Sequence, residues 1–268
     1  MMRMEMTENE VEEKQDEMNV VSQEPRTCGI LISIISRAQA CVYDAAEFFV
    51  AWQGVLTIAF CGIPNSILQA TILKSSFILI LFLGRIKRDV DQELQGVVRE
   101  NPGSKWPKTS VACLRDDKVL TLEQLSKLRR ICSEESPALA ASTPPVIVDN
   151  LSVVLYENCC LEKIILEATT PLRLPVETSK PTSEEKAHVR GVMDEFAAEN
   201  LEVYHVFTSK FGNRSAHYRN SKAGATLVHF LKTVPAALAR FRQRVDEDLP
   251  GMYDWFSDSS LHITIRAL

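Results

Sequence analysis

Two short runs decide the fold of this 268-residue chain: Gly-Val-Leu-Thr-Ile-Ala-Phe at residues 54–60 and Gly-Ala-Thr-Leu-Val-His-Phe at residues 224–230. Both are rich in β-branched and apolar residues, which is the pattern of a strand. Each is followed by a proline, an amphipathic helical pattern and a second strand, at residues 108–114 in the first copy and 262–268 in the second. The sequence therefore predicts an α/β (α+β) fold made of two repeated strand–helix–strand lobes.

The first copy carries an extra apolar segment at residues 68–84, and without it the two copies have the same length. We interpret this segment as an insertion or as non-coding sequence carried into the gene model. A membrane span over residues 65–84 is the alternative, because about 20 apolar residues suffice to cross a bilayer. Lys74, near the centre of that window, would cost a span about 2.5–3.5 kcal/mol.

The repeat and its flanking segments divide the chain into four parts. Residues 1–53 are predicted to form an acidic tail followed by a helix over residues 28–52. Residues 54–170 form the first lobe, the proline-rich residues 171–182 a linker, and residues 183–268 the second lobe. The chain ends inside a predicted core strand, which favours an incomplete second lobe.

Four smaller elements complete the prediction. We expect a helix over residues 121–132, with Thr121 as its N-cap, and a linker rich in proline, alanine and serine over residues 136–145. Residues 201–207 are interpreted as a strand, and residues 210–224 as a basic loop.

The distribution of charge suggests a place for an anion. The net charge of −5 excludes bulk attraction to nucleic acid, yet residues 203–245 contain lysines and arginines and no acidic residue. Lys210, Arg214 and Arg219 in this stretch are candidates to contact a phosphate. A solvated basic face without a ligand is the alternative interpretation.

The seven cysteines form no C-x-x-C pair and have no cluster of histidines beside them. This pattern argues against a zinc site and against a disulfide framework, so no metal and no cofactor is predicted. An odd number of cysteines without a secretory signal at the N-terminus fits a reducing, intracellular and cytoplasmic setting. Association with a membrane stays open through residues 65–84.

The tripeptide His262-Ile-Thr264 is the sharpest candidate for a functional site. Residues i and i+2 of a strand point to the same side, so the imidazole and the hydroxyl face one pocket. A phosphodiester site needs this combination, because the hydroxyl holds phosphate oxygens while the imidazole moves a proton near neutral pH. A half-buried structural histidine is the alternative. In the first copy, Lys108-Thr-Ser110 occupies the equivalent position.

A strand such as residues 54–60, followed by a helix and by the strand Leu-His-Ile-Thr-Ile at residues 261–265, resembles a lobe of the 2H phosphoesterase superfamily. The resemblance covers roughly residues 54–114 and 224–268. It implies two His-x-Thr/Ser motifs facing each other across a cleft, and a ligand that is a 2′,3′-cyclic phosphate nucleotide or an RNA end. Lys108 departs from the motif, since a lysine with an ordinary pKa of about 10.4 holds phosphate but is a poor base at neutral pH.

Two functions follow from this resemblance. In the first, the protein is a 2′,3′-cyclic nucleotide phosphodiesterase in which His262 is the acid or base, while Thr264, Ser110 and Lys108 hold the phosphate. In the second, it is a non-catalytic phosphate-binding pseudoenzyme. A third arrangement, with tandem units of which the second is truncated, would leave His262 without the other half of its site. The sequence indicates no protein partner.

Overall fold

Two antiparallel sheets form the framework of the protein in the computed structural model. The structure describes residues 28–62, 86, 89–90, 92–94, 107–174, 183–194 and 201–268. The predicted acidic tail before residue 28 and the predicted insertion at residues 68–84 lie outside these ranges. The coarse prediction of an α/β fold is confirmed.

The first sheet has five strands in the order β4-β1-β2-β3-β8, each antiparallel to its neighbours. Its central strand β2 is buried along its whole length, between β1 and β3 and in contact with helix residues 183–194. The strands are β1 (Cys41–Val50), β2 (Leu56–Cys61), β3 (Lys108–Leu114), β4 (Val146–Val148) and β8 (Tyr253–Trp255).

The second sheet has four strands in the order β6-β5-β7-β9, again antiparallel throughout. The strands are β5 (Asn150–Tyr156), β6 (Ile164–Pro171), β7 (Gly224–Phe230) and β9 (His262–Ala267). On β9, Ile263 and Ile265 are fully buried in the main core, whereas His262 and Thr264 are on the opposite face. The alternation of this strand therefore separates the core from the predicted site.

The helices pack against these sheets. Helix α3 begins with a capping box, in which Thr121 and Gln124 exchange side-chain hydrogen bonds with each other's backbone N–H groups. The helices are α1 (residues 28–37), α2 (helical at residues 86, 89–90 and 92–93), α3 (Leu122–Ser142), α4 (Ser183–Asp194), α5 (Leu201–Thr208), α6 (Ser215–Arg219) and α7 (Ala236–Asp248).

Two predicted elements are wrong in type. The helix predicted over residues 28–52 ends at residue 37, and Cys41–Val50 is a strand whose first residues alternate between buried and half-buried. This period of two favours a strand over a helix. The strand predicted over residues 201–207 is helix α5, because Tyr204 and Thr208, four residues apart, are its buried side chains.

Two predicted boundaries also move. Helix α3 continues to Ser142 through the predicted linker, because Ser136 and Leu139 are buried on the same face as its earlier apolar residues. Pro137 is accommodated inside this helix. The predicted basic loop contains the short helix α6, Ser215–Arg219.

Each copy of the repeat contributes two antiparallel strands to its own sheet, β2 with β3 and β7 with β9. The sheets do not follow the linear lobes, however. Strands β5 and β6 come before the predicted linker and belong to the second sheet, while β8 comes after it and pairs with β3. Among the described residues, no helix combines the length and the apolar character needed to cross a bilayer.

Candidate functional site

The site forms where β3 of the first sheet runs beside β9 of the second. Since Leu231 N–H donates to Leu261 O, the next hydrogen-bonded pair of the β7–β9 ladder is His229–Ile263. The carbonyl of His262 therefore points away from β7 and toward β3. There it accepts a hydrogen bond from the hydroxyl of Thr109, with 2.9 Å between the oxygens.

A cavity of about 210 Å³ opens beside this contact. Both sequence motifs reach it, because Lys108 and Ser110 alternate with the buried Thr109 on β3 just as His262 and Thr264 alternate with Ile263 on β9. The complete lining is Lys108, Ser110, Cys159, Cys160, Tyr218, Phe256, Ser260, His262 and Thr264. The two motif strands therefore contribute side chains to the same cavity.

The imidazole of His262 is half-buried and oriented by the chain just before it. Its Nδ1 lies 2.7 Å from the carbonyl oxygen of Ser260. A carbonyl only accepts, so Nδ1 carries the proton, and in the neutral ring Nε2 is left as the acceptor. Burial lowers the pKa of His262 below its usual value, and the hydrogen bond to Ser260 opposes this only in part. The ring is thus a neutral base at neutral pH.

Tyr218 is a residue of this cavity that the sequence patterns did not identify. It lies on α6, and its ring is 4.9 Å from that of Phe256. Burial raises the pKa of Tyr218, so the phenol stays protonated at neutral pH. It adds a hydroxyl and an aromatic face to the lining of the cavity. No spacing or repeat in the sequence marks this position.

Lys210 and Arg214 are not among the residues that line the cavity. The Arg214 side chain is 4% exposed and donates hydrogen bonds to four backbone carbonyls, which belong to Gln53, Lys118, Lys210 and Gly212. Its donors hold neighbouring loops together. The ammonium of Lys210 lies 4.6 Å from the ring centroid of Phe207.

Arg219 is adjacent to the cavity through its neighbour Tyr218 but does not line it. Its guanidinium forms a forked ion pair with Glu162 and a hydrogen bond to the carbonyl of Trp255. Asp254 lies 3.7 Å away as a second carboxylate. The guanidinium N–H groups of Arg219, which were predicted to bind an anion, therefore face the carboxylates of Glu162 and Asp254.

The two cysteines of the cavity are protonated thiols at neutral pH. Burial raises the pKa of Cys160 to about 11 and also raises that of Cys159. Neither has the thiolate character that a nucleophile requires. The described part of the chain contains no group of three or more histidine, cysteine or acidic side chains that could hold a metal ion.

A larger cavity, of about 470 Å³, is bordered by β1, α3 and α4. It contains none of the predicted site residues, and the ion pair between Arg190 and Glu47 lies at its edge. Its larger volume would make this cavity the candidate functional site, but the side chains that line the smaller cavity are chemically better suited to that role. Only the smaller cavity combines an imidazole, an ammonium and several hydroxyls.

The chain matches no family model, no curated protein and no solved structure. The side chains that line the smaller cavity are therefore the basis for inferring a function. Lys108, Ser110, His262 and Thr264 line it together, and Tyr218 joins them from α6.

Proposed function

We propose that the protein binds the phosphate of a 2′,3′-cyclic nucleotide or of an RNA end in the smaller cavity, and that His262 transfers a proton there. One observation carries the proposal: an i, i+2 pair from each of two sheets lines a single cavity of about 210 Å³. A space of this size suits a phosphate with part of its sugar. The resemblance to 2H phosphoesterases predicts the same ligand class.

The side chains of the cavity have different roles, which depend on their charge and on their ability to donate protons. A lysine ammonium is charged at neutral pH and compensates the negative charge of a phosphate. The hydroxyls of Ser110 and Thr264 donate hydrogen bonds to its non-bridging oxygens, and the phenol of Tyr218 is a further donor in the cavity lining. These contacts strengthen as charge accumulates on the phosphorus oxygens during attack.

In the proposed hydrolysis, Nε2 of His262 accepts a proton from a water molecule as the water oxygen bonds to phosphorus. The bond from phosphorus to one ribose oxygen breaks, and that oxygen takes up a proton from the Lys108 ammonium or from solvent. The phosphodiester becomes a monoester. The lowered pKa of His262 keeps this base unprotonated near neutral pH.

A phosphate-binding protein without turnover is the second candidate, and the identity of residue 108 favours it. A lysine is a weak proton donor at pH 7, so a site with a single imidazole has lost half of the paired acid–base chemistry that two histidines supply. The two candidates share the cavity and its ligand, and they differ only in whether the ester bond breaks.

The test measures hydrolysis of 2′,3′-cyclic AMP by the purified chain and by two histidine variants. His262→Ala should abolish turnover, since general acid–base groups contribute about 10²–10⁴-fold. His205→Gln is the control, because the His205 ring hydrogen-bonds to the backbone carbonyl of Leu120 and lies outside the cavity. Equal residual activity in His262→Ala and the native chain would refute the catalytic role.

Lys108→His separates the two candidates. If it creates or greatly increases hydrolysis, the native protein is a phosphodiesterase framework that lacks its second imidazole. If it only weakens nucleotide binding, measured by calorimetry, the binding function stands. If the native chain binds no nucleotide phosphate at millimolar concentration, the proposal fails in both forms.

A further inference from the structure

Three segments form the walls of the cavity that the motif strands β3 and β9 do not provide. The loop after β5 contributes Cys159 and Cys160, helix α6 contributes Tyr218, and the segment between β8 and β9 contributes Phe256 and Ser260. These segments are distant in sequence, and each needs a contact that fixes it relative to the other two.

One ion pair joins all three segments. From α6, Arg219 donates to both carboxylate oxygens of Glu162, through Nε at 3.1 Å and Nη2 at 3.3 Å. The same carboxylate accepts the backbone N–H of Ser257 at 2.9 Å, and Arg219 Nη2 also donates to the carbonyl of Trp255 at 2.8 Å. Each residue of this network is within two positions of a residue that lines the cavity.

The loop and α6 also touch directly beside the pair. The backbone N–H of Cys160 donates to the carbonyl of Tyr218 at 3.3 Å. The thiol of Cys159 also donates to the carbonyl of His217 on α6, at 3.2 Å. Each of these neutral hydrogen bonds is weaker than a forked, charge-assisted pair. The Arg219–Glu162 pair is therefore the stronger connection between these two walls.

We infer that Arg219 and Glu162 are positioning residues, a clip that assembles the three walls around the phosphate cavity. An exposed salt bridge contributes little to stability, because water competes for both charges. This pair differs, since the Glu162 side chain is 22% exposed and each partner also hydrogen-bonds a backbone group, Arg219 the carbonyl of Trp255 at the end of β8 and Glu162 the N–H of Ser257 in the segment that follows. The effect of the Arg219–Glu162 pair on ligand affinity rests on the proposed function, whereas its effect on the position of the three walls does not.

The buried thiol of Cys160 reports on the walls without any ligand. Cys160 lines the cavity but is only 3% exposed, and its thiol lies 3.4 Å from Oδ1 of Asn158, so N-ethylmaleimide reacts with it slowly in the closed structure and faster when the loop separates from α6. Cys132 on α3 is 5% exposed and lies outside the cavity, so it reports on opening elsewhere in the same molecule. Alkylation of each cysteine is followed by peptide mass spectrometry at pH 8.

The matched variants are Arg219→Gln and Arg244→Gln. Arg244 has a similar exposure, 32% against 36%, and pairs with Glu135 between α7 and α3. We expect Arg219→Gln to accelerate alkylation of Cys160 at least about tenfold, since charge-assisted hydrogen bonds that oppose local opening are lost. Cys132 should keep its rate in that variant, and Arg244→Gln should leave Cys160 unchanged.

An unchanged rate at Cys160 in Arg219→Gln, or an equal acceleration at Cys160 and Cys132, would overturn the inference. Glu162→Gln is the second variant and must reproduce the selective effect, whether or not Arg219→Gln folds. Arg219→Gln should also weaken binding of adenosine 2′-monophosphate about fivefold or more, while Arg244→Gln should not. If the native chain does not bind this nucleotide, the proposed function fails, and the alkylation result still decides the clip.

Discussion

The hydroxyl of Thr109 connects the two sheets at the point where both motifs meet. Thr109 is fully buried, and its Oγ1 donates to the carbonyl of His262 at 2.9 Å. Thr109→Val keeps the shape of the side chain and removes this donor. The carbonyl points away from β7, so the substitution leaves it without its partner across the sheets.

The expected cost follows from the burial of that carbonyl. Leaving a buried acceptor unsatisfied costs about 1–3 kcal/mol, and a partly buried one lies at the lower end of that range. We therefore expect Thr109→Val to lower the free energy of unfolding by about 1–2 kcal/mol. With a urea slope of about 3 kcal/mol per M, the midpoint of unfolding falls by about 0.3–0.7 M.

Thr57→Val is the matched control for this measurement. Thr57 is 1% exposed on the neighbouring strand β2, and its hydroxyl donates a long, weak hydrogen bond of 3.4 Å to the carbonyl of Val55. Its substitution should change the free energy of unfolding by less than about 0.5 kcal/mol. If the two variants unfold at the same urea concentration, the hydroxyl of Thr109 does not connect the sheets energetically.

Burial lowers the pKa of His229 in the folded protein, so the unfolded chain binds the proton more tightly. The contribution of the neutral ring to the free energy of unfolding is therefore complete above about pH 6.5, the ordinary pKa of histidine. It decreases as the pH falls toward the pKa of the folded state. The urea midpoint of the native chain should thus decrease when the pH is lowered from 7.5 to 5.5, and that of His229→Gln should decrease less. Equal decreases in the native chain and the variant would contradict this prediction. Gly54 has φ +78°, and a Cβ there would collide with Leu114, so Gly54→Ala should cost about 1–3 kcal/mol in urea unfolding. Gly191→Ala, on helix α4 with open space around its Cβ, should be neutral or stabilise by up to about 1 kcal/mol, and a similar loss in both variants would refute the strain argument.

The sequence determined the features that depend on neighbours along the chain. The β-rich runs that start at Gly54 and Gly224 form β2 and β7 because their residues favour extended backbone. Thr121 as the N-cap and the apolar spacing of α3 located the start of that helix. The i, i+2 relation of His262 and Thr264 followed from the period of a strand alone.

Local patterns were weaker where a segment was compatible with two structures. Residues 201–207 are apolar enough for a strand, and only the burial of Tyr204 and Thr208 on one side selects the helix. Proline and alanine made residues 136–145 resemble a linker, yet the burial of Leu139 extends α3 across most of them. In both places packing against distant residues overrides local propensity.

Tertiary structure alone decided how the site is assembled. It brought β3 and β9 together through Thr109, recruited Tyr218 from α6, and paired Arg219 with Glu162 rather than leaving it toward the cavity. No local pattern encodes these outcomes, because an arginine has the same helical or loop propensity whether its partner is a ligand phosphate or a carboxylate 57 positions away. Side-chain propensity acts over a few residues, whereas charge pairing and burial depend on which distant segments the fold places within a few ångströms.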